Sequence, residues 1–130
     1  MYSHVHLGTS SVETAVAFYD RVLEPLGIVR KFFEEDRAWA GWYSKESDRP
    51  LFLVGRPFDY DQMSVGNGQM VAFQASTRDL VDQCYQIAIE AGAISEGAPG
   101  LRPEYHVNYY GAYFRDLDGN KICICCHQGA

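Results

Sequence analysis

Five histidine and cysteine residues near the two ends of the chain have the chemistry of metal ligands: His4, His6, Cys123, Cys125 and His127. Zn²⁺ accepts mixed imidazole and thiolate ligands, so a zinc site is one interpretation of this set. The spacing disfavours it, because side chains two residues apart on one strand stand about 7 Å apart. Adjacent ligands of one small ion must lie closer than that unless the strand is distorted. Buried thiols with a surface histidine at 127 are the favoured alternative.

Aromatic residues are concentrated on segments with a strand pattern, where they could form the wall of a ligand cleft. They are Phe32, Phe33, Trp39, Trp42, Tyr43, Tyr109, Tyr110 and Tyr113. Side chains alternate across a strand, so Trp39 and Tyr43 share one face while Trp42 takes the other. Aromatic walls suit a planar or apolar small molecule, and packing in the core is the alternative use of such residues. Trp39, Tyr43 and Tyr110 are candidate ligand contacts.

Three isolated polar residues are further candidates for ligand contacts. For His6, a hydrogen-bonded position in the core is favoured over a role as a ligand. His106 lies in a long predicted loop, and loops carry functional residues disproportionately. Arg56 ends an apolar strand, where it could pair with an anionic group or reach solvent. The Asp-Leu-Asp-Gly run at 116–119 matches the chemistry of a hairpin turn better than that of an acidic catalytic cluster.

An internal repeat in the sequence predicts which strands, helices and loops carry these residues. A shift of 66 residues (70 − 4) lays His4 on Met70 and aligns a strand, a helix and the next strand. In copy one we predict strands at 2–8, 28–34, 37–44 and 50–56, with a helix that ends near residue 24. In copy two we predict strands at 69–75, 94–96, 109–116 and 121–127, with a helix that is capped by Ser76 or Thr77 and extends to about residue 91. Residues 97–108 contain Gly and Pro and are predicted to form a loop.

The predicted fold is therefore α+β, with two βαβββ modules in a single domain over residues 1–130. Module one covers about 1–56, a linker 57–68, and module two about 69–127. Curved, mostly antiparallel sheets would surround a cleft.

Bulk properties exclude several classes of protein. The net charge is −6 and no Lys/Arg cluster is present, which weighs against nucleic acid as a partner. No apolar run approaches the ~20 residues of a membrane span, and residues 1–4 do not resemble the start of a signal peptide. Four cysteines, three of them within residues 123–126, are expected to be reduced thiols. We expect a cytoplasmic protein.

The repeat, the helix segment 17–23 and the hairpin segment 110–122 together resemble the vicinal oxygen chelate superfamily. Its members include glyoxalase I, bleomycin- and fosfomycin-resistance proteins and extradiol dioxygenases. The loop from 102 to 110 is similar to that of small bacterial glyoxalase-like members. The resemblance covers essentially the whole chain, and it implies the fold rather than a particular activity.

The resemblance also implies where a metal would bind. Metal enzymes of the family have one ligand, usually His or Glu, on the first and last strand of each copy, with open positions for vicinal oxygens of the substrate. The corresponding positions hold His4, Leu53 (nearest match), Met70 and Cys123. His4 and Cys123 are the candidate metal ligands that remain. We expect no cofactor, with a bound divalent metal as the alternative.

Two functions are therefore open. The favoured one is a metal-free protein that binds a small apolar or aromatic molecule in a cleft. The alternative is a divalent-metal-dependent enzyme that uses His4 and resembles a lactoylglutathione lyase or an extradiol dioxygenase. The resemblance further implies a homodimer, with the cleft either within one chain or shared between two.

Overall fold

Two amphipathic helices begin at hydroxyl side chains that accept the first free backbone N–H groups. In the computed structural model, which describes all 130 residues, helix α1 covers Val12–Leu23 and helix α2 covers Arg78–Glu90. The N–H of Thr14 donates to Ser11 Oγ, and the N–H of Leu80 donates to Thr77 Oγ1. A short 3₁₀ turn over Glu24–Leu26 follows α1, where Pro25 sits in the first turn.

The chain divides into two units, Met1–Gly66 and Asn67–Ala130. The strands of the first unit are β1 (His4–Gly8), β2 (Ile28–Glu34), β3 (Trp39–Ser44) and β4 (Leu51–Gly55). They form one open sheet in the order β1-β4-β3-β2, in which only the β1/β4 pair is parallel. The last strand of the unit thus lies between the first and the third.

The second unit repeats this arrangement. Its strands are β5 (Val71–Gln74), β6 (Ile94–Leu101), β7 (Tyr110–Arg115) and β8 (Lys121–Cys126). Their order is β5-β8-β7-β6, again with only the first pair parallel. The two sheets and two helices confirm the predicted α+β class and the two βαβββ modules.

Strand β6 is longer than the sequence predicts. It runs from Ile94 to Leu101, so residues 97–101 are strand where the Gly and Pro content indicated a loop. The pairing with β7 is irregular between Ser95 and Gly97 and again between Gly97 and Gly100. Because β6 is an edge strand, Pro99 can lie within the second of these irregularities without removing a hydrogen bond from the middle of the sheet.

Side-chain alternation divides each sheet into a face toward its helix and an opposite face. In the first unit the helix face holds Trp42, which is fully buried and packs near Tyr19 and Phe52. In the second unit the fully buried Phe114, Ile122 and Ile124 share the helix face. The residues between them on β7 and β8 must point the other way, and these residues build the site described next.

The turn between β7 and β8 has the predicted chemistry. Asp116 Oδ1 accepts hydrogen bonds from the backbone N–H groups of Asp118 and Asn120, and Gly119 has a φ of 94°. The Asp116 carboxylate is therefore used to hold the hairpin together. Neither helix has the length and apolar character needed to cross a membrane.

Candidate functional site

A cavity of about 750 Å³ opens in the second unit. Tyr113 and Arg115 of β7 and Lys121 of β8 line it, all from the face opposite the buried Phe114 and Ile122. The segment before β5, residues 67–70, lines another part of the wall. The loop between β6 and β7 supplies Tyr105, His106 and Tyr109, and His127 follows the end of β8. The cavity thus has three phenols, two imidazoles and two cationic groups around it.

The phenols are connected by their hydroxyl groups. Tyr109 Oη lies 3.0 Å from Tyr113 Oη and 3.5 Å from Cys123 Sγ. The ring of Tyr105 packs edge-on against that of Tyr109, with 5.0 Å between centroids. Burial raises the pKa of Tyr109, and the hydrogen bond to Tyr113 raises it further. The phenol of Tyr109 is therefore neutral at physiological pH and can act as a hydrogen-bond donor.

The two cationic groups differ in their partners. Arg115 Nε donates to Glu96 Oε1 at 2.6 Å, and its Nη1 donates to the carbonyl of Gly119. Lys121 Nζ lies 5.7 Å from the centre of the Tyr113 ring and has no carboxylate oxygen within 4.0 Å, although its charge adds to that of Arg115 in lowering the pKa of Glu96. Lys121 is consequently the cavity cation that is available to an anionic group of a ligand.

The two imidazoles form a hydrogen-bonded chain toward a thiol. His106 Nε2 lies 2.9 Å from His127 Nδ1, and His127 Nε2 lies 3.8 Å from Cys125 Sγ. At the other end of the chain, the backbone N–H of Asn108 donates to His106 Nδ1 at 3.2 Å. The loop before β7 and the end of β8 therefore meet through these two rings.

The structure places two candidates of the first unit, His4 and His6, on one face of β1. Their side chains alternate with those of Val5 and Leu7, and His4 Nδ1 lies 2.9 Å from Ser3 Oγ. His6 is exposed, so its predicted place in the core is wrong: the face of β1 toward the core holds Val5 and Leu7 instead. Loss of part of the water around its imidazole lowers the pKa of His6, and the charge of His4 lowers it further.

The other first-unit candidates already have partners within that unit. Trp39 Nε1 donates to Glu34 Oε1 at 2.6 Å, the ammonium group of Lys31 lies 5.0 Å from the Tyr43 ring centre, and the Arg56 guanidinium lies 5.2 Å from the Tyr60 ring centre. Trp39 and Tyr43 share a face and Trp42 takes the other, as alternation predicts. A role for Trp39, Tyr43 and Arg56 in ligand binding stays a prediction.

In the second unit, one of the two candidates lines the cavity and the other does not. His106 is part of the cavity wall. Tyr110 lies on the helix face of β7, where its hydroxyl donates to Asp82 Oδ1 on α2 at 2.7 Å and Arg78 lies over its ring. The sequence indicates this, because Tyr110 and the cavity residue Tyr113 are three positions apart on one strand and must point to opposite faces.

The cavity wall also contains residues that are not among the sequence-predicted candidates, including Tyr105, Arg115 and Lys121. Lys121 could have been found by counting in steps of two from Cys123 on the same strand. Tyr105 lies in a loop, and a loop sequence has no repeating pattern that predicts where a side chain points.

The donor atoms at the family's four metal positions do not fit a hard divalent ion. His4 offers an imidazole, Leu53 a hydrocarbon side chain and Met70 an exposed thioether. Cys123 is fully buried, and its hydrogen bond to Cys125, together with burial, strongly raises the pKa of its thiol. Hard cations prefer carboxylate and carbonyl oxygens and transition-metal ions also accept imidazole, so a set that consists of one imidazole, a neutral thiol and a thioether is poor for either. No cluster of three or more His, Cys, Asp or Glu side chains suited to a metal occurs in the chain.

Comparisons with known proteins agree with this fold. A family model described as "Glyoxalase/Bleomycin resistance protein/Dioxygenase superfamily" matches residues 2–124. No curated protein matches the sequence. The chain is similar to a glyoxalase/bleomycin resistance protein from Albidiferax ferrireducens T118, with 30% identity, a TM-score of 0.87, and coverage of 98% of this chain and 99% of that one.

Two more distant structures share the fold alone. A glyoxalase/bleomycin resistance protein/dioxygenase family enzyme from Burkholderia phytofirmans PsJN is 21% identical, with a TM-score of 0.71 and coverage of 97% of this chain and 98% of that one. A glyoxalase-related enzyme from Fulvimarina pelagi is 14% identical, with a TM-score of 0.74 and coverage of 97% of this chain and 87% of that one. Since the family model spans nearly the whole chain and a solved structure matches it end to end, the protein belongs to the glyoxalase/bleomycin resistance protein/dioxygenase superfamily.

Proposed function

We propose that the protein binds a small aromatic molecule with an anionic group in the cavity of its second unit, without a metal ion. The observation that carries this proposal is the composition of the cavity wall: the rings of Tyr105, Tyr109 and Tyr113 beside the unpaired ammonium group of Lys121. The volume of about 750 Å³ lies within the range of small-molecule sites.

The aromatic part of the ligand is inferred from the tyrosines. Each favourable contact between aromatic rings contributes about 0.5–1.5 kcal/mol beyond the area it buries. The hydroxyls of Tyr109 and Tyr113 and the imidazole of His106 supply the few polar groups that fix the orientation of a ligand. The anionic part is inferred from Lys121, because Arg115 already has Glu96 as its partner.

The alternative function, a metal-dependent lyase or dioxygenase that uses His4, is the less supported of the two. Such an enzyme polarises vicinal oxygens through a divalent ion, which requires several hard ligands. The leucine, methionine and buried thiol at the other three family positions do not supply them.

A binding measurement with two related probes tests the proposal. We expect the wild-type protein to bind 2-naphthoate more tightly than the uncharged 2-naphthamide in isothermal titration calorimetry. Lys121→Met should weaken binding of 2-naphthoate about tenfold, the effect of losing one charge-assisted hydrogen bond of ~1.4 kcal/mol, and should leave 2-naphthamide unaffected.

A matched control exists in the first unit. Lys31 also lies over a tyrosine ring, that of Tyr43 at 5.0 Å, and it does not line the cavity. Lys31→Met should bind 2-naphthoate as the wild type does. The proposal is wrong if the wild type binds neither probe, or if the two lysine variants behave alike. A stoichiometric divalent metal in protein purified without chelator would show that the metal-free part is wrong.

We also propose that the protein works in the cytoplasm. The four free cysteines support this, because thiols persist in a reducing compartment. Cell fractionation that places the protein outside the cytoplasm would contradict it.

A further inference from the structure

Two cations lie opposite each other on neighbouring strands of the second unit. Arg115 on β7 and Lys121 on β8 are direct partners in the antiparallel register, and both line the cavity. Residues paired in this way share one face of the sheet, with Cβ atoms about 5 Å apart, and like charges there repel each other. The sheet therefore holds this cation pair, Arg115 and Lys121, at a cost in stability that a negative charge beside both would offset.

The protein supplies one negative charge to the cation pair, from Glu96 on β6. Glu96 Oε1 accepts a hydrogen bond from Arg115 Nε at 2.6 Å. This bond and the charge of Arg115 lower the pKa of Glu96, and the charge of Lys121 lowers it further. Both cations thus act on the same carboxylate. Two positive charges and one negative charge leave a surplus of one positive charge at this part of the wall.

No acidic residue of the cavity wall removes this surplus. The chain has 17 acidic and 11 basic residues, yet none of the residues that line the cavity is Asp or Glu. The cavity wall is therefore more positive than the chain as a whole. A ligand group with a single negative charge would make the sum of charges zero.

Both members of the cation pair have N–H groups that no protein atom accepts. Arg115 uses Nε for Glu96 and Nη1 for the carbonyl of Gly119 at 3.1 Å, which leaves Nη2 without a partner. The ammonium group of Lys121 lies beside the ring of Tyr113 and has no carboxylate partner. The pair can consequently donate to both oxygens of one carboxylate, one oxygen to each cation.

We propose that Arg115 and Lys121 together bind one carboxylate group of the ligand, and that Glu96 makes the site selective for aromatic acids with a single negative charge. The inference rests on the proposed function and adds two residues that determine its specificity. Tyr113 lies two positions before Arg115 on the same face of β7, so a ring packed beside Tyr113 brings its acid group to the cation pair.

Glu96 acts on the ligand through its charge and through Arg115, and it does not line the cavity. One carboxylate on a ligand satisfies the cation pair. A second carboxylate on the same ring would add a negative charge near Glu96, and the partly exposed position screens this repulsion without abolishing it. Glu96 therefore disfavours dicarboxylates relative to monocarboxylates with the same ring.

The role of Arg115 is tested with the two probes of the proposed function. We expect Arg115→Gln to weaken binding of 2-naphthoate about fivefold in isothermal titration calorimetry and to leave 2-naphthamide unaffected, because only the carboxylate uses the charge of Arg115. Arg30→Gln is the matched control. Arg30 Nε also pairs with a carboxylate, that of Asp20 at 3.3 Å, and Arg30 does not line the cavity. This variant should bind 2-naphthoate as the wild type does.

The role of Glu96 is tested with a third probe, naphthalene-2,3-dicarboxylate, which carries two negative charges at neutral pH. The wild type should bind it more weakly than 2-naphthoate. Glu96→Gln retains an oxygen acceptor for Arg115 and removes the negative charge, so both acids should bind more tightly and the dicarboxylate should gain more. We expect the ratio of the two dissociation constants to shift about fivefold in favour of the dicarboxylate. A loss of structure would weaken binding of both acids instead.

The inference is overturned if Arg115→Gln and Arg30→Gln bind 2-naphthoate alike, or if Glu96→Gln leaves the ratio of dissociation constants unchanged. Its failure is distinguishable from that of the proposed function. Binding of 2-naphthoate that depends on Lys121 but not on Arg115 or Glu96 contradicts only the paired site. Absence of binding of all three probes contradicts the proposed function, on which the paired site depends.

Discussion

Two tyrosine hydroxyls of the second unit donate to side-chain acceptors of different charge. Tyr110 Oη donates to the Asp82 carboxylate at 2.7 Å, and Tyr85 Oη donates to the Ser95 hydroxyl at 2.6 Å. The first bond joins the sheet to α2 and has a charged acceptor, which makes it the stronger of the two. This difference leads to a prediction that can be tested with matched variants.

Tyr110→Phe should lower the free energy of unfolding by about 1.5 kcal/mol at pH 7, and Tyr85→Phe by about 0.5–1 kcal/mol. Urea unfolding followed by circular dichroism measures both values. An equal effect of the two substitutions would show that the charge of Asp82 does not strengthen the bond.

The Tyr110 bond should also depend on pH. The hydrogen bond to Asp82 raises the pKa of Tyr110, and burial adds to the rise. A group whose pKa is raised by folding stabilises the protein fully below its unfolded value, near 10, and loses this contribution as the pH rises through the folded value. The difference in stability between the wild type and Tyr110→Phe should therefore shrink above pH 10. A difference that grows with pH would contradict the direction of the shift.

Side-chain direction on strands could be predicted from the sequence, whereas direction in loops could not. Alternation on β3 separates Trp39 and Tyr43 from Trp42, and the Asp-x-Asp-Gly run predicts the turn at Asp116. The bond between His106 and His127 joins residues 21 positions apart and depends on the path of a loop, for which the sequence has no periodic signal. The part of the site that this loop forms could therefore not be predicted from the sequence.

Strands β3 and β4 approach each other closely at Gly55. A Cβ atom at this position would lie 2.7 Å from Trp39 Cβ and 3.0 Å from the carbonyl oxygen of Ala38. Neither atom is the free end of a flexible side chain, so β3 and β4 would have to move apart. The glycine is thus required by the register in which Trp39 pairs with Gly55.

Gly55→Ala should destabilise the protein by about 2 kcal/mol, as expected for overpacking in a region that cannot relax cheaply. Gly129→Ala is the control, because the nearest atom to its Cβ would be Asn108 Oδ1 at 3.7 Å. Thermal unfolding of the two variants beside the wild type measures the effect. Equal melting temperatures for all three would contradict the close approach seen at Gly55.

Helix positions were predictable because their signals are local, and strand β6 was not, because its signals conflict. Hydroxyl side chains at residues 9–11 and 76–77 precede the two apolar helix patterns, and the observed caps are Ser11 and Thr77. In β6, Pro99 and two glycines indicate a loop, but pairing with β7 outweighs these preferences. The internal repeat predicts the longer strand, because β2 shifted by 66 residues gives a strand that extends to residue 100.

At the scale of the whole molecule, each unit has its own sheet, helix and buried core. The family resemblance led us to expect a homodimer, and we keep this as a proposal. Light scattering of the protein at micromolar concentration should give twice the chain mass of 14.7 kDa. A monomeric mass would contradict the proposed homodimer.

The order of strands in the second unit affects when its sheet can form during synthesis on the ribosome. Strand β5 pairs only with β8, which is the last strand to be made and lies at Lys121–Cys126. In the sheet, β8 lies between β5 and β7. Until β8 leaves the ribosomal exit tunnel, these two strands have no common partner, and the apolar face of α2 has no complete sheet to pack against. The first unit has all four of its strands by residue 55, so its sheet can form while the second unit still lacks its final strand.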